Sequence, residues 1–142
     1  MLFSKVLHNA INKQKRKSGT RCYFSDGTVF FSRLFAYKLI GDRYEPDPRY
    51  APDIKTIFEM LADGKTLVEI KEALDSMKAR DSSNNRYSFT RITALIRPIY
   101  SGYIEQRGKL VEVKNLTPLV TLEVYRKATK QIKMESKKLF QQ

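Results

Sequence analysis

The sequence predicts an α+β fold that is mostly helical, with a helix-turn-helix or winged-helix-like three-helix core, short β-hairpins and a C-terminal helix. Three observations predict it. Two apolar stripes at helical spacing meet at the tight turn Asp63-Gly64-Lys65-Thr66. A short third helix follows, opened by Ser88 and closed before Pro98. Aromatic and β-branched runs flank Asp26-Gly27 and Arg107-Gly108, the arrangement of hairpins.

Residues 2 to 17 read as a helix, with Leu2, Phe3, Val6, Leu7, Ala10 and Ile11 recurring at helical spacing. Lys13, Lys15, Arg16 and Lys17 follow, and Ser18-Gly19 ends the run. Bases in a last turn suit the helix dipole as well as they suit phosphate. The stretch "TRCYFSDGTVFFSRLF" is a hairpin around Asp26-Gly27. "FAYKLIGDRYEPD" repeats the pattern around Gly41-Asp42, and Pro46 and Pro48 stop it.

Residues 51 to 62 form the next helix, with Pro52 in its first turn and Asp53 where the dipole favours an acid. Ile54, Ile57, Phe58 and Leu61 make its buried stripe, and Gly64 is placed to end it. Thr66 and Glu69 have the spacing of a capping box for a helix that buries Leu67, Ile70, Leu74 and Met77. After the polar loop "ARDSSNNR", Ser88 caps a third helix that runs to about Arg97. "IYSGYIEQRGKLVEVK" reads as two strands. Thr121 caps the last helix, whose stripe is Leu122, Tyr125, Ala128, Thr129 and Ile132 and whose pattern fades beyond Met134. The chain divides into residues 1–19, a linker helix and basic arm; 20–50, a β-hairpin region; and 51–139, the helical part.

The 142 residues are 42% hydrophobic, with eight Phe and eight Tyr, enough for a core. No run approaches the roughly 18 apolar residues that span a bilayer, and the N-terminus lacks the pattern of a secretory signal. One cysteine, Cys22, and one histidine, His8, fall short of a disulfide, a zinc site or the common hydrolytic constellations. The expectation is a cytoplasmic protein with no metal, no cofactor and no catalytic residue.

Charge points to a partner. The net charge is +12, and it is segregated. Residues 1 to 21 hold six bases and no acid, residues 78 to 110 hold seven bases against two acids, and residues 113 to 142 again seven against two. Residues 44 to 77 hold eight acids against four bases. Segregation of this kind favours a nucleic acid over mere solubility.

The helix after Ser88 carries the sharpest expectation. At 100° per residue, Phe89, Ile92, Leu95 and Ile96 share one side, and Thr90, Arg91, Thr93, Ala94 and Arg97 spread over the other. Arg donates two hydrogen bonds to guanine O6 and N7, and Thr and Ala contact the thymine methyl. A solvated face normally mixes both signs, and this one has no acid. Ser88, Thr90, Arg91, Thr93 and Arg97 are therefore candidates for the base side of a major groove. Arg86, just before the helix, and Arg107, in the hairpin, are candidates for phosphate contact, which positions without carrying sequence information. Lys13, Lys15, Arg16, Lys17 and Arg21 form an arm suited to a minor groove or to phosphates, or to solvent.

"FAYKLIGDRYEPDPRYAPDIKTIFEMLADGKTLVEIKEAL", "YSFTRITALIRPIYSGYI" and "LTPLVTLEVYRKATKQI" together resemble the recombinase domain of large serine recombinases. The resemblance covers residues 35 to 132. It is carried by Ile57-Phe58-Glu59, Gly64-Lys65-Thr66-Leu67, Tyr87-Ser88 and Pro98-Ile99-Tyr100-Ser101-Gly102-Tyr103. It implies that residues 51–139 bind double-stranded DNA beside a crossover point, with the helix at 88–97 in the major groove and the preceding linker across the minor groove. Residues 2 to 19 resemble the tail of the helix that joins that domain to its catalytic partner. Tyr87 stands where the family often has Trp, Arg97 where it often has Asn, and the aromatic hairpin where a basic linker is usual. The resemblance implies a DNA-binding module without the family's serine catalytic domain or four-cysteine zinc ribbon. It would recognise an attachment half-site on a bacterial or phage nucleoid and work with a resolvase-type catalytic domain or an intact serine recombinase. A stand-alone DNA-binding regulator or accessory factor with the same fold is the alternative. An enzyme in its own right lacks the paired carboxylates, His/Asp set or phosphate loop it would need.

Overall fold

A computed structural model describes residues 22–140. The expected N-terminal helix and the arm residues Lys13, Lys15, Arg16, Lys17 and Arg21 lie outside the described residues.

Among the described residues, two antiparallel hairpins are followed by three helices, a third hairpin and a fourth helix. The first hairpin pairs β1 (Cys22–Ser25) with β2 (Thr28–Phe31), and Ser25 faces Thr28 across the turn. Asp26 and Gly27 both have positive φ, 54° and 83°, as a two-residue turn matched to strand twist requires. The second pairs β3 (Tyr37–Ile40) with β4 (Arg43–Pro46). The third pairs β5 (Tyr103–Gln106) with β6 (Lys109–Glu112) around Arg107 and Gly108.

Helix α1 (Ala51–Ala62) turns Ile54, Ile57, Phe58 and Leu61 inward, each fully buried. Burial of such side chains stabilises the fold by about 1.5–3 kcal/mol each. Gly64, at φ 83°, turns the chain in a conformation that a β-carbon disfavours. Helix α2 (Leu67–Ser76) opens on the expected capping box: the Thr66 hydroxyl accepts from Glu69 N and the Glu69 carboxylate accepts from Thr66 N. It buries Leu67, Ile70 and Leu74, while Met77 is half exposed and lies outside the core.

Helix α3 (Phe89–Ala94) is shorter than its apolar spacing predicts. Proline disfavours helical geometry in the residue before it, and Arg97 is accordingly extended, at φ −126° and ψ 145°. The chain leaves the helix at Leu95, enters a 3-10 turn (Pro98–Ser101) and reaches Gly102 at φ 84°. A β-carbon on Gly102 would sit 2.9 Å from Pro118 Cγ. Helix α4 (Leu122–Phe140) runs past Met134, further than its pattern predicts. The Thr121 hydroxyl accepts from Val124 N at its start.

Helix α4 lies against α1 and clasps the turn into α2. Ala128 and Ile132 are buried, and the Tyr125 ring lies 6.3 Å from that of Phe58. The Gln131 amide donates to Gly64 O and Lys65 O, at 3.2 and 3.1 Å. The buried Glu135 carboxylate accepts from Leu67 N at 3.2 Å. That amide is one of the four at a helix start with no partner inside the helix. Asn115 stitches the first two hairpins to the same body. Its side chain exchanges hydrogen bonds with Val29 N and O, and its carbonyl accepts from Tyr44 N. One core thus runs from Val29 and Phe31 through α1, α2 and α3 to Ile132. Among the described residues, no helix is long and apolar enough to cross a membrane.

Candidate nucleic-acid interface

Helix α3 is set from its base. Tyr87, directly before the cap, is fully buried, and its hydroxyl donates to Asp53 Oδ2 at 2.9 Å. Burial, then the bond to Asp53, raises the Tyr87 hydroxyl pKa well above the ordinary phenol range. Burial also raises the Asp53 carboxyl, opposed by the Tyr87 bond. Lys71 of α2 donates to Tyr87 O at 3.0 Å. The Ser88 hydroxyl then accepts from Arg91 N at 3.1 Å, the expected N-cap.

Ile92 and Leu95 are the buried residues of this helix turn, and Ile96 is partly buried. Phe89 is not in the seam that its spacing predicts: it is 44% exposed. The exposed face is therefore Ser88, Phe89, Thr90, Thr93 and Ala94, a neutral surface of methyl groups, one ring and hydroxyls. The Thr93 hydroxyl donates to Phe89 O at 2.9 Å, so its proton is directed back onto the helix.

The two arginines expected beside these residues are placed differently. Arg91 is half-buried, and its guanidinium carbon lies 4.9 Å from the ring centroid of Phe35. Its Nε is buried and has no hydrogen-bond partner among the described residues. Arg97 lies beyond the helix, half-buried, 5.8 Å from the Phe31 ring centroid. The structure thus separates Ser88, Thr90 and Thr93 on the open face from Arg91 and Arg97 at its edge. Arg86 is exposed just ahead of the helix, and Arg107 is exposed on the β5–β6 turn.

Arg91 and Arg97 line a cleft of about 690 Å3 together with Arg33, Arg49, Phe35 and Ala94. None of Arg33, Arg49, Phe35 or Phe31 stood out in the sequence, because no local spacing links the segment after β2 to α3. Arg49 binds Asp47 through Nε and Nη2, at 3.2 and 2.9 Å. That pair of side-chain bonds holds the buried Asp47 carboxyl below its ordinary range. Asp81, also in the lining, accepts from Ser83 N and Asn85 N and so organises its own loop. Among the described residues, no three His, Cys, Asp or Glu side chains gather as metal ligands do.

The Recombinase family model matches residues 48–135, from the segment before α1 into α4. Among curated proteins no relative matches the chain. Solved structures do. A chain from a crystal structure of an LSR–DNA complex aligns with a TM-score of 0.57 and 13% identity, over 80% of this chain and 33% of its own length. A chain from a structure concerning the sequence requirements of the Listeria innocua prophage attP site aligns with a TM-score of 0.56 and 14% identity, over 72% of this chain and 42% of its own. At these identities the likeness is one of fold, and this chain spans less than half the length of either.

Proposed function

Since the chain belongs to the Recombinase family, as the recombinase domain of large serine recombinases, we propose that it is a double-stranded DNA-binding module that recognises one half of an attachment site. The observation that carries this reading is the open face of α3. It is a rigid helix end, fixed by the Tyr87–Asp53 bond below and the Ser88 cap at its start, that presents five exposed residues and no acid. A protein whose fold it shares over 80% of this chain is in an LSR–DNA complex, which supports a duplex as the partner. Thr90, Thr93 and Ala94 offer methyl groups to thymine methyls at the floor of the major groove, and Phe89 adds apolar surface. Arg86 and Arg107 contact phosphates, as does the arm of Lys13, Lys15, Arg16, Lys17 and Arg21. These contacts give affinity and salt dependence without base information.

In this reading the chain binds in the cytoplasm, on a bacterial or phage nucleoid. Strand cleavage is the work of a resolvase-type catalytic domain or an intact serine recombinase acting with it. The test is selection of duplexes by the full chain from a random pool, followed by titration of the winners against salt. The expected result is a shared half-site motif and an affinity that falls steeply with salt. Recovery of no motif, with binding equal on all duplexes, overturns recognition.

A further inference from the structure

Arg33, Arg91 and Arg97 share one cleft, and none of them forms an ion pair among the described residues. The four ion pairs of the described residues are Arg43–Glu45, Arg49–Asp47, Lys71–Asp75 and Lys127–Glu123. All 15 acidic side chains of the sequence fall within the described residues, so no acidic side chain elsewhere remains to complete a pair. Of the two acids of the lining, Asp47 is paired with Arg49, and Asp81 accepts from its own loop amides through Oδ1 and forms no ion pair with the three arginines.

Two of the three tyrosine hydroxyls of the lining are engaged as well. Tyr37 donates to Thr117 O at 2.6 Å and Tyr100 to Phe35 O at 3.1 Å. Beside the hydroxyls of Tyr50, Ser82 and Ser83, the cleft offers N–H donors on cations, groups that all suit an anion. The guanidinium carbons of Arg91 and Arg97 lie over the rings of Phe35 and Phe31, at 4.9 and 5.8 Å, and a contact of this kind uses none of the N–H donors.

Position selects the anion. Ala94 belongs both to the open face of α3 and to the wall of the cleft. A duplex that meets that face in its major groove brings the bordering strand over the cleft. We infer that the cleft seats a backbone phosphodiester of the bound duplex, held by Arg33, Arg91 and Arg97, so that the two arginines next to the reading helix clamp the strand and do not read bases. This rests on the DNA-binding reading above.

The test is binding of the full chain to a selected duplex over a salt series, with intact backbone and with single neutral methylphosphonate linkages placed in turn. The wild-type protein loses affinity at one linkage flanking the motif. Arg97→Gln gives a log–log salt slope shallower by about 0.9, the value for one phosphate contact, no longer senses that linkage, and keeps the same base preference. An unchanged slope with continued sensitivity to that linkage, or a changed preference at one base pair, overturns the assignment while leaving DNA binding intact. A wild-type chain that shows no salt-dependent duplex binding overturns the DNA reading and the cleft with it. Where Arg97→Gln fails to give the wild-type circular dichroism spectrum, Arg33→Gln decides by the same criteria, because Arg33 is exposed and forms no ion pair among the described residues.

Discussion

The Tyr87 hydroxyl donates to Asp53 at 2.9 Å, joining the residue before the Ser88 cap to the first turn of α1, 34 residues earlier. Both groups are buried, so neither finds water when the other is removed. Tyr87→Phe keeps the ring and orphans the carboxyl, and the expected cost is about 1–3 kcal/mol of stability. Urea unfolding followed by circular dichroism measures it. A midpoint equal to that of wild type refutes the role given to this bond.

The neutral face of α3 predicts sensitivity to thymine methyls. Replacing thymine by deoxyuracil in the selected motif removes one methyl per base. At about 0.8 kcal/mol per buried methylene-sized group, each productive position weakens binding by roughly fourfold. Thr93→Ser removes the methyl partner and keeps the hydroxyl that bonds Phe89 O, so this variant loses its response at one position. Equal binding of thymine and deoxyuracil duplexes by the wild-type protein removes methyl contact from the account.

Asp47 predicts an acid-side loss of stability. Its carboxyl is lowered in the folded protein, chiefly by the side-chain bonds from Arg49. A group lowered on folding contributes stability above its unfolded pKa and loses it as the pH falls through the folded value. Thermal midpoints of the wild type should fall below the ordinary carboxylate range, and those of Asp47→Asn should fall less over the same interval. The exposed half of the pair keeps the effect modest. Parallel profiles for the two proteins contradict it.

Glu135 predicts that the end of α4 matters to a helix far away in sequence. Glu135→Ala leaves Leu67 N buried without its acceptor, at an expected cost of about 1–3 kcal/mol. Hydrogen exchange at Leu67 is the direct check, and unchanged protection there would count against the contact.

What the sequence made legible was local. The Asp26-Gly27 turn, the Thr66–Glu69 box and the Ser88 cap each lie within four residues, and short-range sterics and hydrogen bonding fix them without help from the rest of the chain. Phe89 was misplaced because apolar spacing cannot tell a core position from an apolar surface position. The end of α3 was overrun because periodicity through Ile96 outweighed the restriction that Pro98 imposes on Arg97. The cleft was illegible for a different reason. It is made by residues of the β2–β3 segment meeting α3 and the turn after it, and only the folded core decides that Phe35 lies under Arg91. The family resemblance, carried by residues 35 to 132, overlaps the segment that the Recombinase model matches, 48–135, from residue 48 onward.

The clasp between Glu135 and Leu67 also sets a timetable. The two partners are 68 residues apart, and Asn115 meets Val29 across 86. On a ribosome adding about 5–20 residues per second, α1 and α2 exist for roughly 3 to 14 seconds before the helix that closes over them has been made. During that interval the Phe58 ring lacks the cover that Tyr125 gives it in the folded protein. Rare codons between residues 76 and 122 would lengthen the wait.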